Sequence, residues 1–124
     1  MGQGGAINWI DLTVPDAERV REFYETVAGW KSDPIEMAGY SDYVMSPRGG
    51  GASAGICHKR GPNADLPSVW LVYIAVANLA ESLRQCKELG GSIVNEPRIM
   101  GDGKFAVIQD PAGAICALYE KGAR

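Results

Sequence analysis

Apolar and polar residues alternate with a period of two from Ile7 to Val14, so Ile10, Leu12 and Val14 share one face and Trp9, Asp11 and Thr13 the other. That pattern predicts a strand buried on one side. Directly after it, Asp16 stands where a helix cap belongs, and Val20, Phe23, Tyr24 and Val27 recur at helical spacing before Gly29. The spacing predicts an amphipathic helix that buries this stripe in the core and stops at the glycine.

The same order of signals returns 62 residues later, half the chain length. Ile7 to Gly29 aligns without a gap on Val69 to Gly91, where Asn78 with Glu81 makes a capping box, Leu79, Leu83 and Cys86 form the stripe, and Gly90 ends the helix. Sequence identity between the copies is low, so the repeat rests on pattern. Further strands are expected at Lys31–Glu36, Asp42–Ser46 and Ala52–His58 in the first copy. The second should hold strands at Ser92–Glu96, Phe105–Gln109 and Ala114–Tyr119, with Gly- and Pro-rich turns between. The chain therefore reads as a single α+β domain over 1–124. It would hold two βαβββ modules, at about 6–58 and 68–120, joined by a linker at about 59–67.

If the helices cover the outer face of a cupped mixed sheet, the other face is free to line a cup. Alternation places Trp9, Asp11 and Thr13 there, with Leu71, Tyr73 and Ala75 from the repeat strand and Ile115, Ala117 and Tyr119 from the last strand. Asp11 and Tyr73 occupy the same position in the two modules. A carboxylate on an apolar face needs a partner, because burying an unpaired charge costs several kcal/mol. Asp11 is therefore either a structural hydrogen-bond acceptor or the polar group of a binding site.

Composition narrows the function classes. A net charge of −3 with scattered basic residues supplies no field for a nucleic-acid backbone, and Lys59-Arg60 reads as a solvated loop. No apolar run reaches the length of a membrane span, and Met-Gly-Gln-Gly-Gly resembles no secretory leader, so a cytoplasmic protein is expected. Cys57, Cys86 and Cys116 are odd in number and widely spaced, which fits reduced thiols better than a disulfide frame or zinc cluster.

The duplication, the run Asp11-Leu12-Thr13-Val14-Pro15-Asp16 leading into Arg21-Glu22-Phe23-Tyr24, and the turn Asp110-Pro111-Ala112-Gly113 together resemble the glyoxalase/bleomycin-resistance/extradiol-dioxygenase (vicinal oxygen chelate) superfamily. Trp9-Ile10-Asp11-Leu12-Thr13, Trp70-Leu71-Val72-Tyr73 and Gly103-Lys104-Phe105-Ala106-Val107 are similar to a glyoxalase-like subgroup labelled hydroxylases. The resemblance implies the βαβββ fold, a small-molecule ligand and a homodimer. In metal-using members it also implies a divalent cation, held by side chains of the first and closing strands, that polarises substrate oxygens or activates dioxygen. Here those ligand positions fall on Trp9, on Val69 or Leu71, and on Ala117, none of which coordinates a cation. The expectation is a metal-free cup, either sequestering its ligand or using Asp11 as a base with Tyr73 or Tyr119 as donor. The alternatives are a metal-dependent lyase or dioxygenase with a site remodelled from Asp11, Cys57, His58, Cys116 or Glu120, and a dimerising structural module with an empty cup.

Overall fold

The computed structural model describes residues 4–122; positions 1–3, on which the leader reading partly rests, lie outside them. Eight strands and two α-helices alternate in the order β1 (Ile7–Val14), α1 (Ala17–Val27), β2 (Lys31–Glu36), β3 (Ser41–Ser46), β4 (Ala54–His58), β5 (Trp70–Ala75), α2 (Leu79–Glu88), β6 (Ser92–Met100), β7 (Gly103–Gln109) and β8 (Ile115–Glu120). A short 3-10 turn at Gly61–Asn63 separates β4 from β5. The chain divides into two compact units, Trp9–Trp70 and a second formed by Leu71 onward together with the residues before Trp9.

In the first unit the strand order is β2-β3-β4-β1. β1 runs parallel to β4, with Asp11 beside Gly55 and Thr13 beside Cys57, and β3 is antiparallel to both β4 and β2. Asp16 caps α1 as its position required, accepting the Arg19 backbone N–H at 3.1 Å. Leu12, Val14, Tyr43, Met45, Ala54 and Ile56 pack with Ala17 of the helix into one core, against which Val20, Tyr24, Trp30 and Trp70 lean. The helical stripe thus needs correcting. The buried line is Ala17, Val20 and Tyr24, whereas Phe23 and Val27 are 54% and 64% exposed. At 100° per residue, positions 17, 20 and 24 form a tighter line than the set containing 23 and 27, and the small Ala17 lets the helix settle on that side.

The second unit repeats the plan in the order β5-β8-β7-β6. β5 is parallel to β8, with Tyr73 beside Ala117, and β7 is antiparallel to β8 and β6. Leu79 and Leu83 of α2 pack on Ala106 and Leu118 in the core, whereas Cys86, the third residue of the expected stripe, is only part-buried. Asn78 accepts the Glu81 N–H at 3.0 Å. Glu81 does not complete the box: its carboxylate takes Arg84 Nε at 3.1 Å, and the Glu120 carboxylate takes the Leu79 N–H at 2.7 Å. A carboxylate from β8 thus joins Glu81 of the first turn at the helix N-terminus. Gly90, at φ +97°, makes the stop, and Gly91 must stay glycine because a Cβ would press on Cys86 Sγ and the Gln109 carbonyl.

Strand boundaries differ from expectation mostly in β4, which begins at Ala54, and in β6, which runs on to Met100. β6 is broken by register shifts between Ile93 and Asn95 and between Asn95 and Arg98. One terminal strand of each unit carries a proline, Pro34 in β2 and Pro97 in β6.

Candidate functional site

Each unit has one sheet face covered by its helix and one free of it. In the first unit the register puts Trp9, Asp11 and Thr13 on the helix-free face with Gly55, Cys57, Asp42 and Val44. Asp11 is half-buried, and its Oδ1 accepts the Trp9 indole N–H at 3.1 Å. The carboxylate lies over Gly55, where any Cβ would overlap Oδ1 and touch the Trp9 ring. Gly55 is therefore the residue that gives Asp11 its place, through absence of a side chain.

Asp42 is 6% exposed, and its Oδ1 takes the His58 backbone N–H at 2.8 Å. The His58 ring points Nδ1 at the Ser41 carbonyl, 2.9 Å away, so Nδ1 carries the proton of that bond. Asp42 lies 3.7 Å from the same nitrogen. Cys57 is pushed well above the ordinary thiol range by burial first, then by the negative charges of Asp11 and Asp42, the latter also its hydrogen-bond partner. A thiol held protonated is a poor nucleophile and a poor metal ligand. Arg60 stacks over Tyr40 at 4.2 Å, and Tyr40 meets His58 edge-on, so this part of the linker is packed rather than merely solvated.

In the second unit Leu71, Tyr73, Ile115, Ala117 and Tyr119 do share the helix-free face, since Tyr73 pairs with Ala117 and Ala75 with Tyr119. Phe105 and Val107, which the sequence alone did not place on this face, join them opposite Tyr119 and Ala117. The Tyr73 and Phe105 rings are 5.7 Å apart at a tilt of 51°. Leu71, Val107 and Ala117 are at most 1% exposed, while Ile115 and Tyr119 are half-exposed. Asn95, 6% exposed, lies opposite Val107 on this face. Cys116 pairs with Ile108, which packs in the α2 core, so this thiol belongs to the helix side.

A divalent cation does not fit these residues. The positions where the resemblance would put metal ligands hold an indole at Trp9, hydrocarbon at Val69 or Leu71, and hydrocarbon at Ala117. The donors proposed for a remodelled site already have protein partners: Glu120 on the α2 terminus, His58 on Ser41, Cys57 as a protonated thiol on Asp42. Among the described residues no three His, Cys, Asp or Glu side chains are arranged so that they could hold a metal ion.

The chain was compared with known proteins. A model of the Glyoxalase/Bleomycin resistance protein/Dioxygenase superfamily matches residues 6–117. Among curated proteins, the chain is 29% identical to "Anthracycline biosynthesis protein DnrV" of Streptomyces peucetius, over 95% of this chain and 48% of that protein. It is 31% identical to "Putative glyoxylase CFP32" of Mycobacterium bovis, over 97% of this chain and 46% of that one. The chain thus spans about half the length of these relatives. In fold it is similar to the crystal structure of hypothetical protein BH1468 from Bacillus halodurans, with TM-score 0.64 and 17% identity over 97% of this chain and 96% of that one. It is also similar to methylmalonyl-CoA epimerase from Mycobacterium tuberculosis, with TM-score 0.59 and 18% identity over 95% and 88%. On the family match, which the βαβββ order of each unit accompanies, the chain belongs to the glyoxalase/bleomycin resistance protein/dioxygenase superfamily.

Proposed function

We propose that the chain binds a small, mostly apolar molecule on its helix-free faces, without the superfamily metal. Trp9, Asp11, Leu71, Tyr73, Ile115, Ala117 and Tyr119 are the proposed lining. The observation that carries the reading is Asp11: a half-buried carboxylate on a strand face, oriented by the Trp9 indole and given room by Gly55. Small-molecule sites combine apolar walls with a few placed polar groups, and this is such a group. The same carboxylate can act as a general base, so the reading covers both sequestration and metal-free acid–base chemistry. A homodimer in the cytoplasm completes it.

A thermal-shift screen of aromatic and thiol-containing metabolites tests binding, because a ligand at 100 times its Kd adds about 2.7 kcal/mol to stability. An absence of any stabilising compound overturns the proposal. Asp11→Asn then separates its two forms: lost turnover with retained binding identifies an enzyme, whereas no turnover in either protein identifies sequestration. Elemental analysis that finds a stoichiometric, tightly held metal would sink the metal-free reading.

A further inference from the structure

The two helices differ at their C-terminal ends. The last turn of α2 carries Lys87, whereas that of α1 carries no basic side chain. A helix C-terminus holds about half a negative elementary charge, which a nearby cation offsets. At the uncompensated end of α1 the first unit gathers aromatic rings. Tyr24 lies in that last turn, Trp30 follows shortly after it, and Trp70 opens β5. The Trp70 ring stands at 78° to Tyr24 and at 79° to Trp30, with centroids 5.4 and 5.9 Å away. Its indole N–H donates to the Tyr24 hydroxyl at 3.2 Å, which fixes these two rings relative to each other. All three rings rest on the unit's core yet are only part-buried. Phe23 and Val69, adjacent to them in the chain, are 54% and 40% exposed, so the cluster lies at the surface.

The faces of aromatic rings attract cations, and an indole face attracts them most strongly. Elsewhere in this unit the chain supplies its own: Arg21 lies over Tyr43 at 5.0 Å and Arg60 over Tyr40 at 4.2 Å. Among the described residues no such cation lies over Trp30 or Trp70. Lys31, the nearest base in the chain, pairs with Ser46 and so lies on the opposite, helix-free face. We infer that Tyr24, Trp30 and Trp70 bind the cationic head of a small quaternary ammonium compound. A primary ammonium is held back by its strong hydration, whereas methyl groups cover the charge with surface that suits an aromatic ring. The site is on the helix side of the first unit, so it stands or falls independently of the ligand proposed for the helix-free faces.

The test pairs choline with 3,3-dimethyl-1-butanol, in which a carbon replaces the charged nitrogen at unchanged shape. Both are titrated against the whole chain by tryptophan fluorescence, with choline chloride replacing sodium chloride so that ionic strength stays constant. The wild type should bind choline at least about threefold more tightly than the alcohol. Trp30→Leu removes an indole face, and Val27→Lys, at a position 64% exposed, puts a base into the last turn of α1. Each should at least halve the preference for choline. A smaller preference in the wild type overturns the site, and so does binding of neither compound. A preference that is not halved in Val27→Lys, or in a folded Trp30→Leu, also overturns it. Should Trp30→Leu fail to fold, Val27→Lys alone decides.

Discussion

The helix-free faces of the two units use one backbone arrangement for opposite chemistry. In each, the first strand runs parallel to the last, and the middle position of the first strand lies beside a small residue: Asp11 beside Gly55, Tyr73 beside Ala117. In the first unit the missing side chain of Gly55 leaves the space that the Asp11 carboxylate takes. That charged group is surrounded by Trp9, Thr13, Cys57 and Asp42. In the second unit the middle position holds an aromatic ring among the buried side chains of Leu71, Phe105, Val107 and Ala117. The duplicated pattern therefore specifies where room is made, and the residue type decides what fills it.

The contrast can be broken most directly in the second unit. Leu71, 1% exposed, should cost about 2–5 kcal/mol when cut to alanine, measured by urea unfolding. A loss below about 1 kcal/mol would mean that this face is not a packed core. In the first unit the sensitive site is the empty one. Gly55→Ala should cost about 1–3 kcal/mol through overlap with Asp11 and Trp9. Adding Asp11→Ala should recover much of that loss; purely additive costs in the double mutant would show that the overlap is not its source.

The smallest effect is electrostatic. Cys57 has a raised pKa in the folded chain, so above the ordinary thiol value of about 8.5 the folded state holds a proton that the unfolded state has released. Its contribution is complete below that pH and declines as pH rises, by up to about 1.4 kcal/mol per unit. Alkaline unfolding of the wild type should be steeper than that of Cys57→Ala. Identical slopes would remove the buried-thiol account.

Much of the architecture is written in periodicity. The period of two in the first strand assigned Leu12 and Val14 to the core correctly, and both helix caps stand where Asp16 and Asn78 indicated. The helix stripe was misread because Phe23 and Val27 are apolar and correctly spaced, yet hydrophobicity alone does not tell a buried line from its flank. Gly55 left no signal, since its role is to be absent. Phe105 and Val107 lay in an expected strand, but alternation says which residues share a face without saying which face the helix covers. Asn95 was unreadable for a further reason: the irregularities on either side of it break the two-residue count on which such assignments depend.

The prolines of β2 and β6 bear on the protein's behaviour in a crowded solution. A terminal strand offers unpaired N–H and C=O groups to any passing chain, and growth by added strands is the route to fibres. Pro34 and Pro97 each remove a donor from that row, and β6 is further interrupted by its register shifts. Neither strand is a continuous template. Each of these two edges is thereby a poor template for an added strand.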